Sequence, residues 1–147
     1  MRGAIATRPA EASDAEAVAG LFRRSRALLA FLPELHSAAE DLQFVRDRLI
    51  ARQRVTLAEY EGSLAGFVAE TPGWIEHLYL EPDRRGMGIG SALLGEVMAR
   101  QKTISLWVFA ENWPARRFYE RHGFVPVECT DGAANEARLP DIRYERA

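Results

Sequence analysis

A mixed α/β fold of the α+β kind, with a central, mostly antiparallel sheet flanked by helices, follows from three features of this sequence. Short β-favouring runs alternate with amphipathic stretches, tight turns join some of the runs as hairpins, and strand–helix–strand stretches demand parallel neighbours. The length of 147 residues, 48% hydrophobic and 27% charged, fits one globular domain over 1–147. One core is expected.

Ala4 to Thr7 reads as a first strand, closed by Arg8-Pro9, after which Ser13 or Asp14 can cap a helix carrying Ala17, Val18, Leu21 and Phe22 to about Leu29. Phe31 to His36 breaks it. Ser37-Ala38-Ala39-Glu40 has the capping-box form and opens a second helix with Leu42, Val45 and Leu49 on one stripe. Val55–Tyr60 and Leu64–Ala69 flank the turn Glu61-Gly62-Ser63 as a hairpin, and Thr71-Pro72-Gly73 turns the chain into a strand from Trp74 to Leu80. Alternation with period 2 places Trp74, Glu76, Leu78 and Leu80 on one face of that strand and Ile75, His77 and Tyr79 on the other. A helix from about Ile89 to Arg100, with Leu93, Leu94 and Val97 inward, precedes a strand over Ile104–Ala110. Trp113 to His122 is a helix stopped by Gly123, and strands near Phe124–Glu128 and Ile142–Glu145 flank a polar loop. The order is β-α-α-β-β-β-α-β-α-β-β.

Nineteen basic residues against 21 acidic ones leave a formal charge of −2, so no basic field exists to hold a phosphate backbone. Nucleic acid is not the expected partner. Cys129 alone excludes an intramolecular disulfide, and with His36, His77 and His122 scattered along the chain no metal site is expected. Nothing resembles a signal h-region, and no apolar run approaches the roughly 20 residues that span a bilayer. A cytoplasmic protein without a membrane partner is the expectation. Cys129 is read as a small buried hydrophobe and Trp107 as core.

The most informative stretch is Leu78-Tyr79-Leu80-Glu81-Pro82-Asp83-Arg84-Arg85-Gly86-Met87-Gly88-Ile89-Gly90-Ser91. Glycines at 86, 88 and 90 allow backbone angles closed to other residues, so successive N–H groups can converge on one anion at a helix N-terminus. A ligand-free strand-to-helix turn would use the same glycines. A Walker loop lacks its GxxxxGK[ST] here, and a dinucleotide fingerprint would need glycine or alanine at Ser91, after the first strand of the fold. What stands here is Arg85-x-x-Gly88-x-Gly90.

In that motif, and in Asn112-Trp113-Pro114-Ala115-Arg116-Arg117-Phe118-Tyr119-Glu120-Arg121-His122-Gly123-Phe124, the chain resembles the GNAT superfamily of acetyl-CoA-dependent N-acetyltransferases. The resemblance covers nearly the whole chain in element order. It implies acetyl-CoA as cosubstrate, with the main chain at Leu78, Tyr79 and Leu80 beside the pantetheine arm. It places the diphosphate on the loop that Arg85 opens, held by the amides of Gly86, Met87, Gly88, Ile89, Gly90 and Ser91, with Asn112 facing the cofactor. Tyr119 matches the family tyrosine beside the sulfur and becomes the expected general acid; helix packing is the alternative for it and the rule for Phe118. Glu76, on the strand from which several family members project a carboxylate or histidine, is the expected base, with His77 and Glu111 as alternates. Acceptor choice is expected in Phe31–His36, Glu76 and the loop over Asp131–Pro140. The acceptor itself, a small-molecule or peptide amine, is left open, as is a homodimer. A non-catalytic acyl-CoA-binding module and an O-acyl- or aminoacyl-transferase are the competing readings.

Overall fold

The structure, a computed structural model, describes residues 4–147. Its elements are β1 (Ile5–Pro9), α1 (Ala15–Ala27), α2 (Ala38–Phe44), β2 (Arg54–Tyr60), β3 (Ser63–Thr71), β4 (Trp74–Leu80), α3 (Ile89–Arg100), β5 (Ile104–Phe109), α4 (Trp113–Arg121), β6 (Val125–Thr130) and β7 (Asp141–Arg146). The expected order stands. The strands form one sheet, β1-β2-β3-β4-β5-β7-β6, antiparallel at every junction except the parallel β4–β5 pair.

Local chemistry fixes the hairpins, because Glu61 (φ 51°) and Gly62 (φ 81°) take left-handed conformations between paired Tyr60 and Ser63. The turn thus has two residues, not three. Ser37 caps α2 as expected, accepting from the Glu40 N–H while the Glu40 carboxylate accepts from the Ser37 N–H. Asp14 acts from inside the turn that precedes α1: its carboxylate accepts from the Glu11 N–H and pairs with Arg8 at 2.9 Å. That α-helix ends at Ala27, two residues earlier than the sequence suggests. Beyond α2 the chain continues as a π-helical segment, Val45–Ile50, which keeps Val45 and Leu49 buried.

Two cores sandwich the sheet. On one face α3 places Ile89, Leu93, Leu94 and Val97 over Val68, Ile75, Ile104, Leu106 and Tyr144. On the other, α1 and the π segment set Val18, Leu21, Phe22, Val45 and Leu49 over Leu57, Phe67 and Ala69. Ile75 therefore does not share a face with His77 and Tyr79. The cause is a β-bulge: β3 pairs Ala69 with His77 but Glu70 with Ile75, so Glu76 is an extra residue and alternation slips by one. Trp107 and Cys129 are also exposed rather than buried. Trp107 lies opposite Arg143 on the uncovered face of its strand, and Cys129 belongs to β6, an edge strand of the sheet.

Candidate active site

The parallel pair β4–β5 is joined at one position, Trp74 with Ser105, backed by the Ser105 N–H donating to the Gly73 carbonyl at 2.8 Å. Past it the strands part. The stretch Leu78–Leu80 therefore borders a gap in the sheet, a place where main-chain polar groups need partners from elsewhere. Leu78 and Leu80 pack toward the α3 core, while Tyr79 packs on the opposite side with its ring centroid 5.2 Å from that of Phe22.

The loop after β4 makes a short 3-10 turn at Pro82–Arg84, then reaches Gly88, the N-cap of α3. Gly86 (φ 80°) and Gly88 (φ 85°) are left-handed, and a Cβ on either would meet no atom within 4 Å. Their hydrogens face open space above a helix N-terminus. Gly90 is different, because its Cβ would lie 3.2 Å from the Phe118 ring, so it is glycine to let α3 approach α4. Arg85 is exposed and donates to the Pro82 carbonyl at 3.3 Å; Met87 packs on the core and Ile89 is buried. Ser91 Oγ lies 3.0 Å from His122 Nε2, whose Nδ1 is 3.2 Å from the Phe118 carbonyl. A carbonyl only accepts, which assigns the ring proton to Nδ1 and makes Ser91 the donor. Asn112 is the N-cap of α4, its Oδ1 accepting from the Ala115 N–H at 3.3 Å.

Tyr119, on α4, is 7% exposed between the rings of Phe118 and Phe124, at 5.2 and 5.5 Å. Its hydroxyl has no hydrogen-bond partner among the described residues. Desolvation pushes the phenol pKa well above its usual value, and the nearby Tyr79 phenol adds to the rise.

A cavity of about 1000 Å³ opens on the other side of β4, walled by α1, the segment Leu32–His36, α2, the π segment, His77 and Glu136. His36 Nε2 lies 2.8 Å from the Glu136 carboxylate, closing the α1–α2 loop onto the β6–β7 loop. Two of the three expected acceptor segments therefore meet there. Glu76 does not line the cavity; it is exposed, and its carboxylate accepts from the Thr71 hydroxyl at 2.9 Å. Glu111 is exposed at the end of β5, also outside it. Phe44 and Arg26, which the sequence reading did not single out, do line it.

His77 forms part of the cavity floor, edge-on to Phe22 and Phe44 at 5.9 and 5.6 Å and stacked on Tyr79 at 6.1 Å. Burial, then the Arg26 charge, pushes its pKa down to about 4. Between that value and the ordinary 6.5 the unfolded chain binds the extra proton, so stability falls as pH drops through this window. We expect a loss on the order of 3 kcal/mol from pH 7 to 4 attributable to this residue, and His77→Phe to flatten that part of a denaturant-melt pH profile. An unchanged slope in the variant would show that His77 titrates normally.

Comparison with known proteins agrees with this architecture. The model of the GNAT acetyltransferase domain matches residues 51–126. The peptidyl-lysine N-acetyltransferase YiaC of Escherichia coli K12 is 33% identical over 100 residues, 67% of either chain. Among solved structures, apo YjaB from Escherichia coli superposes with a TM-score of 0.80 at 20% identity, over 98% of both chains. YncA from Salmonella typhimurium, solved with its cofactor acetyl-CoA, gives 0.71 at 16% identity, over 98% of this chain and 93% of that one. The chain belongs to the GNAT acetyltransferase family. Among the described residues no helix is long and apolar enough to cross a membrane, and no group of three or more His, Cys, Asp or Glu is gathered as a metal site.

Proposed function

We propose that the protein transfers the acetyl group of acetyl-CoA to an amine by direct attack on the thioester. The observation that carries this reading is a convergence at one end of β4: the strand gap, the open helix N-terminus at Gly86 and Gly88, and the cavity beneath His77. YncA holding acetyl-CoA on the same fold supports the choice of donor. In this reading the β4 edge at Leu78–Leu80 pairs with the pantetheine arm and offers an N–H to the thioester carbonyl. The loop from Arg85 to Ser91 holds the diphosphate on main-chain amides, and Asn112 borders the cofactor while capping α4.

The proton inventory sets the remaining roles, since an ammonium acceptor loses two protons, one ending on the departing thiolate and one in solvent. Tyr119 faces the thiolate. Its proton is held more tightly than a free phenol's, whereas a thiol has a reference pKa of about 8.5, so Tyr119 stabilises the leaving sulfur by donating a hydrogen bond and keeps its own proton, and the thiolate is protonated from solvent. Glu76, exposed outside the cavity, collects the amine proton through water, with His77 and Glu111 as the alternates.

Thiol release from acetyl-CoA, measured across free amino acids, polyamines and a lysine peptide of the kind YiaC's name suggests, tests the reading. Release with at least one amine is expected; acetyl-CoA binding without release from any would leave a binding module. Glu76→Gln should slow the reaction below the amine pKa and approach the wild-type rate above it, as free amine accumulates. A deficit independent of pH would assign Glu76 to positioning and the proton to His77 or Glu111.

A further inference from the structure

The cavity beside His77 carries a charge pattern that acetyl transfer by itself does not require. Its carboxylates are all engaged: Glu34 and Asp41 pair with Arg23 at 2.7 and 2.5 Å, Asp47 with Arg46, and Glu40 and Glu136 with His36. Of its arginines, Arg23 is taken up by those pairs and Arg24 pairs with Glu81 at 2.7 Å, but Arg26 is not paired. Arg26 has no carboxylate partner among the described residues, and one Nη1 hydrogen, donated to the Tyr79 hydroxyl at 3.2 Å, is its side-chain hydrogen bond. The guanidinium lies 5.1 Å from the centroid of Phe22, so an aromatic ring covers part of it, yet the other donors of its fork remain free. A half-buried cation with unused donors suits an anion that fits the fork, and a carboxylate is its best planar match.

Position narrows the anion further. Tyr79 stands between Leu78 and Leu80 at the strand gap, and the Arg26 guanidinium touches its phenol, so a group held by Arg26 sits one side chain away from that gap. The Arg26 charge also reaches His77 on the cavity floor. We propose that the acceptor is a small amino-carboxylate whose carboxylate pairs with Arg26, which sets the amine beside the gap between β4 and β5. A lysine within a protein offers no carboxylate at that distance, because its own carboxyl is an amide. The inference rests on the acetyltransferase reading and goes further by naming the acceptor class.

The test follows thiol release from acetyl-CoA by wild type and by Arg26→Gln. The acceptors are leucine, phenylalanine and alanine, each against its own α-carboxamide, with a lysine peptide blocked at both ends as a further arm. The carboxamide has the less basic amine and so more of the reactive free form at neutral pH, which biases the comparison against the proposal. We expect the acids to exceed their amides at least tenfold in kcat/KM, carried by KM. Arg26→Gln should remove the preference while the KM for acetyl-CoA holds, and Arg26→Lys should restore part of it. Amides as good as acids, or a ratio untouched in Arg26→Gln, overturns the proposal. So does silence from every free acid; if the blocked peptide is then acetylated, the acetyltransferase reading survives alone. If no acceptor releases thiol and calorimetry shows no acetyl-CoA binding, both fail.

Discussion

Tyr119→Phe should lower kcat about 100-fold, the low end of what one positioned hydrogen-bond donor to developing charge contributes, while leaving acetyl-CoA affinity nearly unchanged. The ring stays between Phe118 and Phe124, so the packing that holds α4 on the sheet is kept. Only the hydroxyl goes. Because that hydroxyl has no hydrogen-bond partner among the described residues, its removal leaves no group there unsatisfied, and the melting temperature should hold or rise slightly. Binding and chemistry separate here because affinity is expected from main-chain amides, whereas the phenol meets charge that develops only as the C–S bond breaks. Single-turnover kinetics at saturating acetyl-CoA provide the measurement. A variant that keeps full kcat when chemistry limits the rate would make Tyr119 a packing residue.

The raised phenol pKa adds a second readout. Since burial holds the Tyr119 proton above the ordinary phenol range, no alkaline limb below that range in the rate profile should belong to it. Any such limb must come from the acceptor amine or another group.

What the sequence made legible depends on how far each feature reaches along the chain. Gly86, Gly88, Ser37 and the turn at Gly62 were readable because a backbone angle or a cap is set by residues a few places apart. The β4 bulge was not, since one inserted residue at Glu76 is invisible to a period-2 count until β3 supplies the register. Trp107 failed for a related reason: a strand in mid-sheet still has one face that no helix covers. The cavity was half legible. Its loops could be named, but the His36–Glu136 contact joins residues 100 positions apart, and only the folded chain brings Arg26, His77 and Phe44 to the same wall. The chemistry of the acceptor lies in that convergence, not in any local motif.

At the other end of the ligand, Gly88→Asp should raise the acetyl-CoA dissociation constant more than tenfold, or about 1.4 kcal/mol, while Gly88→Asn changes it little. Gly88 has φ 85°, a conformation that Asn and Asp tolerate best among residues with a Cβ, and nothing lies within 4 Å of the added atom. Both variants should fold. They are nearly isosteric and share the same backbone strain, so their difference isolates one negative charge at the N-terminus of α3, where a diphosphate is proposed to bind. The site is exposed, so salt should screen the repulsion and narrow the gap between the two variants as ionic strength rises. Gly90→Ala makes the contrast, because its Cβ would press on Phe118 rather than enter the loop and should show first as lost stability. Titration calorimetry at two salt concentrations decides the matter. Equal affinities for Gly88→Asp and Gly88→Asn at low salt would mean that the ligand's phosphates never meet this loop, leaving the glycines as a turn that starts α3 and moving the diphosphate elsewhere along the gap.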